Sequence, residues 1–502
     1  MVKRRRLLWQ ILCLFFFSFL LSGIAKAAGT GEIKITGTVS GKKYSLYKVF
    51  DLTYSGSNVS YTIANEWKPF FTTGAGQSFI VTSNPSGNLN QINIDGDVKY
   101  INITNSNIQD FAKKAMAEIG KTGITRIDRE TATGTELSFT GLDLGYYMVH
   151  PEGAAEQKTG QNSLVSLTST VPKGEVVVKA EYPTITKSLD KASADYGEEV
   201  TFTLRAKVPD ITGYDSYSYE VTDTLSKGLS FVNPAAGSGV EVTINGASKT
   251  VTKGSTGDIH YTTTQSGVET ILKIYFDMSK FQADAGKNVV IQYKAKLNRD
   301  ALIGNAGNPN KVELEYSNDP KDGTKKEKTP PQIVKVYTGK IRVVKHQKGN
   351  EAVKLSGAEF LLYKEEGGVK KYYKLNVAPD GSKTVTFEVN QSDGTKLTTN
   401  TVGEISFEGI KAGTYFLKEL KAPDGYNLLL TDPTVSLTDT AVISMEAESK
   451  VANSNGVELP KTGGRGTVLF TVFGGVLMLF AVLALLKGKV SRKEKSKRKD
   501  EK

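Results

Sequence analysis

Between residues 28 and 458 the chain consists largely of short runs in which apolar and polar side chains alternate, broken by Gly, Asn and Asp. Alternation with a period of two places the apolar side chains on one face of a strand. The length and spacing of these runs predict an all-β chain of sandwich domains. One helix is predicted over 108–119, where apolar residues recur at helical spacing. The clearest alternating runs are 33–39, 200–206, 289–295, 341–345, 360–363 and 415–419.

Two continuous apolar runs lie outside this pattern, one at each end of the chain. Residues 7–24 follow a basic start and precede Ala25-Lys26-Ala27, which is typical of a secretory signal peptide cleaved before Ala28. Residues 467–486 are uncharged and, at about 1.5 Å per residue, long enough to span a hydrocarbon layer of ~30 Å. A basic tail, 487–502, follows and is expected on the cytoplasmic side.

Charge and cysteine content exclude several classes of function. The net charge is +11, but residues 1–28 carry +5 and residues 464–502 carry +7, so the body is almost neutral and no nucleic-acid partner is expected. The only cysteine, Cys13, lies in the predicted signal peptide. The mature chain is therefore expected to have no disulfide, cysteine nucleophile or zinc–cysteine site. Three scattered histidines also argue against a metal site, and no cofactor is expected.

A short motif precedes the C-terminal apolar run. Leu459-Pro460-Lys461-Thr462-Gly463, the apolar span and the basic tail together resemble the sorting signal of Gram-positive cell-wall-anchored proteins. In that family a membrane-bound sortase cleaves the Thr-Gly bond with a cysteine and transfers the Thr carbonyl to an amine. The resemblance implies that Thr462 becomes the anchoring residue. It also implies a secreted protein attached to the cell wall.

Five segments are expected along the chain. They are a signal peptide (1–27), an N-terminal domain (28–183), a middle β-sandwich (184–336), a third domain (337–457) and a sorting signal (458–502). The boundaries are drawn near Tyr182-Pro183 and after the charged, Pro-containing stretch 319–331, where the hydrophobic periodicity lapses. Together the three domains are expected to form an elongated rod.

The third domain resembles a known module. Segments 354–360 and 415–426 are similar to the collagen-adhesin B-type (Cna-B) domain, although Leu420 stands where that family usually has Thr. In the family, a Lys and an Asn join in a spontaneous isopeptide bond assisted by a Glu. The resemblance implies that these residues are Lys345, Asn453 and Glu419.

Strand alternation provides a separate argument about the same three residues. Lys345 shares parity with Ile341 and Val343, Glu419 with Tyr415 and Leu417, and Asn453 with Val451. All three side chains are therefore predicted to point into the core. Desolvation lowers the pKa of a Lys and raises that of a Glu, so a neutral amine could attack the carboxamide while a protonated carboxyl polarises it. A buried Lys–Glu ion pair without covalent chemistry is the alternative.

The middle domain repeats this pattern with other residues. Lys187, Asp223 and Asn310 each share parity with apolar neighbours, and Asp223 would be the assisting acid. This arrangement resembles the middle domains of sortase-assembled major pilins. Asn308 and Asn318 are competing acceptors, and a purely structural role is the alternative. In the first domain Lys34 should face water, and no isopeptide bond is expected there.

The polymerising amine is not given by the family motif. Backbone pilins carry a Tyr-Pro-Lys motif at the end of the first domain, but here Thr184 follows Tyr182-Pro183. Lys179 is chosen as the acceptor because alternation should expose it. Lys173 is the second choice, and a surface lysine without a role is the alternative.

Taken together, the sequence is identified as a member of the sortase-assembled backbone (major) pilins of Gram-positive bacteria. The resemblance implies a non-enzymatic pilus subunit on the cell surface, joined through Thr462 to the next identical subunit and supporting host adhesion. Its implied partners are a pilus-type sortase, ancillary pilins, peptidoglycan and host surface ligands. The main alternative is a monomeric cell-wall-anchored adhesin. A secreted hydrolase is disfavoured, because the sequence shows no Ser-His-Asp arrangement, His-Glu-x-x-His motif or convincing carboxylate pair.

Overall fold

The computed structural model describes residues 30–497, apart from 56–57, 85–86, 88, 95, 121–122, 155, 158–162, 179, 235–236, 321, 439–444 and 457–464. The predicted signal peptide, the motif Leu459–Gly463 and Lys179 therefore lie outside the described residues. Strands dominate the described chain, which confirms the all-β prediction. They form three successive groups, called here the N-terminal unit (31–181), the middle unit (186–336) and the C-terminal unit (339–453). We propose that these groups correspond to the domains expected from the sequence.

The N-terminal unit contains several small sheets and two hydrophobic clusters. One sheet has the order β12-β1-β8, and another has the order β11-β9-β2-β3. The predicted helix is confirmed as α2, which buries Phe111, Ala112, Ala115 and Met116. The elements are β1 Gly31–Thr36, β2 Lys43–Ser55, β3 Asn58–Ile63, α1 Lys68–Thr72, β4 Ile80–Val81, β5 Asn90–Ile94, β6 Asp97–Ile101, α2 Ile108–Glu118, β7 Asp128–Thr131, β8 Glu136–Leu142, β9 Gly145–Pro151, β10 Glu156–Gln157, β11 Leu164–Leu167, β12 Lys173–Val177 and β13 Ala180–Glu181.

The first strand is shorter than its alternating pattern suggested. The run 33–39 predicts a strand to Val39, but β1 ends at Thr36. Gly37 follows with a φ of 77°, a left-handed conformation that ends the extended chain and is easiest for a residue without a Cβ. Backbone conformation, rather than hydrophobic pattern, thus fixes the end of β1.

The middle unit is a sandwich of two sheets. One has the order β14-β15-β23-β18-β19, and the other has the order β20-β21-β22-β16-β24-β25. Alternating inward side chains of both sheets fill the space between them, as in other sandwiches. Its strands are β14 Thr186–Leu189, β15 Glu199–Lys207, β16 Tyr219–Leu225, β17 Leu229–Phe231, β18 Val240–Ile244, β19 Ala247–Lys249, β20 Thr252–Lys253, β21 Ile259–Ser266, β22 Glu269–Phe276, β23 Asn288–Leu297, β24 Asn308–Ser317, β25 Lys326–Lys328 and β26 Gln332–Val336.

The C-terminal unit is also a two-sheet sandwich. Its first strand, β27, pairs antiparallel with β33 and parallel with the last strand, β36. The facing sheet has the order β31-β30-β29-β34-β35. The strands are β27 Gly339–Gln347, β28 Asn350–Lys354, β29 Glu359–Glu366, β30 Val369–Val377, β31 Lys383–Glu388, β32 Leu397–Thr398, β33 Glu404–Ile410, β34 Gly413–Lys421, β35 Thr434–Leu437 and β36 Glu446–Asn453.

A long helix, α3, Arg465–Lys497, follows the C-terminal unit. Its stretch Phe470–Lys487 has a mean hydropathy of 2.2 and is long and apolar enough to cross a membrane. The apolar run 467–486 predicted from the sequence thus lies within this longer helix.

Polar contacts join the N-terminal and middle units. Glu152, almost fully buried, accepts hydrogen bonds from Arg126 (2.9 Å) and from Arg129 Nε (2.9 Å). Both arginines also lie within 3.4 Å of Asp319 in the middle unit. The two guanidinium groups therefore bridge a carboxylate on each side of this junction.

The middle and C-terminal units are joined more closely, because they share one hydrophobic cluster. A loop of the middle unit lies against the C-terminal unit, where Tyr196 N donates to Gly409 O (2.8 Å) and Lys411 N donates to Asp195 Oδ1 (2.7 Å). Gly409 has a φ of 74°, and a Cβ there would lie 1.8 Å from Cδ2 of Tyr196. Only glycine allows this approach of the ring to the backbone.

Candidate cross-link sites

The predicted triad of the C-terminal unit comes from three strands. Lys345 lies on β27 and Asn453 on β36, and the parallel register pairs Asn453 with Gln347, two residues beyond Lys345. Lys345 and Asn453 are therefore diagonal neighbours on the same face of one sheet. Glu419 lies on β34 of the facing sheet. The three side chains meet in the core between the two sheets.

The contacts within this triad connect all three groups. Lys345 Nζ donates to Asn453 Oδ1 and lies 3.4 Å from Glu419 Oε1. Asn453 Nδ2 lies 3.0 and 3.1 Å from the two carboxylate oxygens of Glu419. The amide N–H of Leu429 donates to Glu419 Oε2 (2.9 Å) and helps to hold the carboxylate in place.

Burial alters the acid–base properties of this site. The side chains of Lys345 and Glu419 are fully buried, and Asn453 is 2% exposed, which confirms the inward orientation predicted from strand parity. Desolvation lowers the pKa of Lys345 to about 8, although the nearby Glu419 opposes the shift. The ring centroid of Phe360 lies 5.7 Å from Nζ and adds to the apolar surroundings. Much more of the amine is neutral near physiological pH than for an exposed lysine.

The structure shows which atom of the carboxamide Glu419 faces. The carboxyl, predicted to polarise the Asn453 carboxamide, faces the amide nitrogen, while Lys345 faces the oxygen. Glu419 is thus placed beside the group that would leave as ammonia. In this position it is suited to transfer a proton to the leaving nitrogen.

The middle unit positions its three residues across the sandwich. Lys187 lies on β14 of one sheet, while Asp223 on β16 and Asn310 on β24 belong to the other. Leu225 pairs with Asn310 in the register of β16 and β24, so Asp223 and Asn310 are diagonal neighbours on one face. A bond between Lys187 and Asn310 would therefore link the two sheets, whereas the corresponding bond in the C-terminal unit would link two strands of one sheet.

A tyrosine hydroxyl lies between the reacting groups of the middle unit. Lys187 Nζ donates to Asp223 Oδ2 (2.5 Å) and to the hydroxyl of Tyr293 (3.0 Å). Asn310 Nδ2 donates to the same hydroxyl at 2.7 Å. The Tyr293 hydroxyl thus accepts a hydrogen bond from both the amine and the carboxamide.

The groups of this site are buried, and burial shifts the pKa values of Lys187 and Asp223. Desolvation lowers the pKa of Lys187 to about 8, against the attraction of Asp223. Desolvation also raises the pKa of Asp223, with Lys187 opposing it. Among the described residues, Asp223 Oδ1 and Asn310 Oδ1 have no hydrogen-bond partner although both are buried. A proton on Asp223 would turn one of its oxygens into a hydrogen-bond donor within this buried cluster.

The two competing asparagines have other surroundings. Asn308 is buried, but its oxygen accepts from Leu302 N (2.8 Å) and its nitrogen donates to Leu302 O and Val336 O (both 3.1 Å). These three bonds hold a loop and a neighbouring strand, which favours a structural role. Asn318 lies at the junction with the N-terminal unit, where its Cβ is 3.1 Å from the position of a Cβ on Gly153. Neither asparagine hydrogen-bonds to Lys187 among the contacts of the described residues.

The lysines of the N-terminal unit lie at the surface. Lys34 is 45% exposed and pairs with Glu136 at 2.9 Å, so it faces water as predicted. Lys173 is 77% exposed and pairs with Glu32 at 2.7 Å, which raises its pKa. Thr184 is exposed where a lysine was expected from the family pattern. Lys179 lies outside the described residues, so its choice as acceptor stays a prediction.

Sequence reasoning missed Tyr293, although a signal was present. Tyr293 shares parity with Ile291, Ala295 and Leu297 on β23, all of which are buried. An inward-facing tyrosine usually needs a partner for its hydroxyl, which would have marked it as a member of a polar core cluster. The described residues contain no group of three or more His, Cys, Asp or Glu side chains arranged to hold a metal ion.

Comparison with known families identifies three regions of the chain. Residues 196–320 match the Cna-B-like domain of Gram-positive pilin backbone subunit 2, and residues 339–451 match the SpaA prealbumin-like fold domain. Residues 452–501 match the LPXTG cell wall anchor motif. The two domain matches contain Asp223, Asn310, Lys345 and Glu419, whereas Lys187 precedes the first of them and Asn453 falls within the anchor match.

Individual proteins and solved structures are also similar to this chain. The trypsin-resistant surface T6 protein of Streptococcus pyogenes serotype M6 is 26% identical over 288 residues, which are 55% of this chain and 49% of that protein. The chain thus matches about half the length of this relative. The T6 backbone pilin structure of serotype M6 S. pyogenes has a TM-score of 0.50 at 19% identity, covering 82% of this chain and 81% of that one. The group B streptococcus pilus 2b backbone protein is 27% identical, with a TM-score of 0.42, over 55% of this chain and 99% of that one.

Proposed function

We propose that this chain, which belongs to the Gram-positive backbone pilins, is the repeating structural subunit of a covalent pilus on the cell wall. The observation that carries the proposal is the combination of two buried Lys-acid-Asn sites in successive sandwiches with a C-terminal LPXTG anchor match. A chain built in this way is a substrate of a sortase rather than an enzyme acting on other molecules. Its proposed partners are a pilus-type sortase, identical subunits, ancillary pilins and peptidoglycan, with host ligands at the outer surface.

In the proposed assembly, sortase cleaves between Thr462 and Gly463. Its cysteine holds the Thr462 carbonyl as a thioester and transfers it to a lysine amine of the next subunit, so one peptide bond is exchanged for one isopeptide bond. The apolar stretch of α3 would hold the substrate at the membrane during this step. At the end of the fibre, the same thioester would be passed to peptidoglycan.

We further propose an internal isopeptide bond in the C-terminal unit. Neutral Lys345 Nζ attacks Cγ of Asn453, the new C–N bond forms, and the Cγ–Nδ2 bond breaks. The departing nitrogen takes up the proton released by the lysine and leaves as ammonia. Glu419, which lies 3.0 Å from that nitrogen, would transfer the proton.

The same reaction is proposed for the middle unit between Lys187 and Asn310. Asp223 would be the proton-transferring acid, and its raised pKa favours the protonated form that the reaction needs. Tyr293 would act as a positioning residue, since its hydroxyl contacts both the amine and the carboxamide. Each internal bond reduces the mass of the chain by one ammonia, about 17 Da.

The polymer is tested by extracting cell walls and boiling the extract in SDS. A ladder of high-mass bands is expected, and it should collapse to monomer in a Thr462→Ala variant but persist in the control Thr467→Ala outside the motif. A single monomer band in the unmodified strain would overturn the pilus proposal and leave the monomeric adhesin. Peptide mapping of the ladder then identifies the lysine joined to Thr462, with Lys179 expected and Lys173 as the alternative.

A further inference from the structure

Two exposed leucines lie beside the point where the chain leaves the last strand. Leu428 is 50% exposed and Leu430 is 85% exposed, whereas Leu429 between them packs against the core. Asn427 N donates to Ser454 O at 2.9 Å, and its side chain donates to Gly456 O. The leucine loop, residues 427–430, is therefore fixed next to the start of the segment that carries Thr462.

The N-terminal unit exposes one valine on strand β12 and another just before it. Lys173, Glu175 and Val177 are exposed and share one face, and Val177 is 45% exposed. Val171, two residues before the strand, is 57% exposed. Among the described strands β12 pairs only with β1, so it lies at the edge of its sheet. Of the two candidate acceptor lysines, Lys173 belongs to this face, and Lys179 follows it two residues after Val177 in the sequence.

We propose that the leucine loop of one subunit docks on the exposed face of β12 in a second copy of this chain. This inference rests on the proposed function, because the covalent link brings the two surfaces together. Residues 457–462 reach at most about 20 Å from Gly456, even when fully extended. With either candidate lysine as acceptor, the linker confines the leucine loop to the neighbourhood of β12.

The covalent link between subunits explains why such a small apolar contact can form in the fibre. Two leucines would not hold free proteins together, since association carries a large entropic cost. Once Thr462 is joined to the next subunit, docking becomes intramolecular at a high effective concentration. Leucines exposed to this extent in the monomer are then covered in the fibre.

Cysteine pairs test this contact, because residues 14–502 contain no other cysteine. Fibres are assembled on cells from the full chain carrying Leu430→Cys with Val177→Cys or with Val171→Cys, then oxidised and mapped by mass spectrometry. If Lys179 is the acceptor, the disulfide should form in the variant that carries Val177→Cys. If Lys173 is the acceptor, it should form in the variant that carries Val171→Cys. We expect the disulfide-linked peptide to be at least about tenfold more abundant in fibres than in unpolymerised chains that also carry Thr462→Ala.

The matched control joins Leu430→Cys with Val268→Cys, a residue of the middle unit that is 71% exposed. This pair should not cross-link in fibres. Fibres that form normally but link neither β12 pair above the control would overturn the docking contact and leave the pilus proposal intact. If the unmodified chain forms no fibre at all, the pilus proposal fails, and the docking contact fails with it.

Discussion

The side-chain nitrogen of Asn453 lies 3.0 and 3.1 Å from the two carboxylate oxygens of Glu419. This places the acid beside the nitrogen that must leave if Lys345 is to form an amide with Asn453. A neutral carboxyl at this position can protonate the leaving group, whereas an amide cannot do so at neutral pH. The relationship makes the role of Glu419 directly testable.

Replacing Glu419 with Gln should prevent the cross-link of the C-terminal unit. In an intact-mass measurement of the three folded units, the variant should lose one ammonia, about 17 Da, less than the unmodified chain. Because the bond would close a loop of about 100 residues, its absence should cost about 5 kcal/mol, by comparison with disulfides that close loops of that length. Lys418→Gln, at the half-buried neighbouring position on the same strand, should keep both the bond and the stability. A Glu419→Gln chain with the mass loss of the unmodified protein would contradict the proposed role.

Formation of the same bond should depend on pH. The pKa of Lys345 is lowered to about 8 before reaction, and only the neutral amine attacks. The rate should therefore fall about tenfold for each pH unit below that value and level off above it. The measurement uses chain purified in denaturant before it has ever folded, refolded at several pH values and weighed over time. A rate independent of pH between 6 and 8 would exclude deprotonation of the lysine as the controlling step.

The unreacted lysine also affects folding stability, in a direction that follows from its pKa. In Asn453→Ala, Lys345 stays unreacted, and its folded pKa is below that of an unfolded lysine, about 10.4. The unfolded state binds more protons between these two values, so the stability of this variant should rise with pH from about 8 to about 10.4. Denaturant unfolding across this pH range measures whether the free energy of unfolding rises. The double variant Lys345→Met/Asn453→Ala, which lacks the titrating amine, is the reference.

Removing the hydroxyl of Tyr293 should slow cross-linking in the middle unit. Tyr293→Phe keeps the ring stacked on Phe202 but removes the oxygen shared by Lys187 and Asn310. We expect the rate of ammonia loss to fall about tenfold or more, as for other losses of positioning. Tyr275→Phe, a tyrosine stacked on His260, is the matched control and should react normally. Unchanged kinetics in Tyr293→Phe would show that the hydroxyl has only a packing role.

Adding a methyl group to Gly409 should loosen the junction between the middle and C-terminal units. A Cβ there would overlap the ring of Tyr196, so the ring and its loop must move away. Small-angle scattering should show a broader distribution of end-to-end distances, and the two units should unfold in separate transitions. Gly425→Ala has a similar positive φ, 86°, but its Cβ would contact nothing within 4 Å, so it controls for backbone strain. Equal effects in the two variants would assign the result to strain alone.

Strand alternation alone was sufficient to place all six buried residues of the two proposed cross-links on inward faces. It works because burial in a sandwich follows the period of two along each strand, whatever strands lie alongside. It could not find the shared contact of Lys187 and Asn310 with Tyr293, because that contact depends on which strands of two sheets face each other. Nor could it show that Glu419 faces the nitrogen of Asn453 rather than its oxygen, since side-chain rotation leaves no trace in the sequence.

The parallel pairing of the first and last strands of the C-terminal unit has a mechanical consequence. A pull along the fibre would enter this unit through the start of β27 and leave it after Asn453 at the end of β36. With Lys345 joined to Asn453, tension would pass from one strand directly to the other through covalent bonds. Residues 346–452 would then carry no load, so the fold that they form need not resist extension at all.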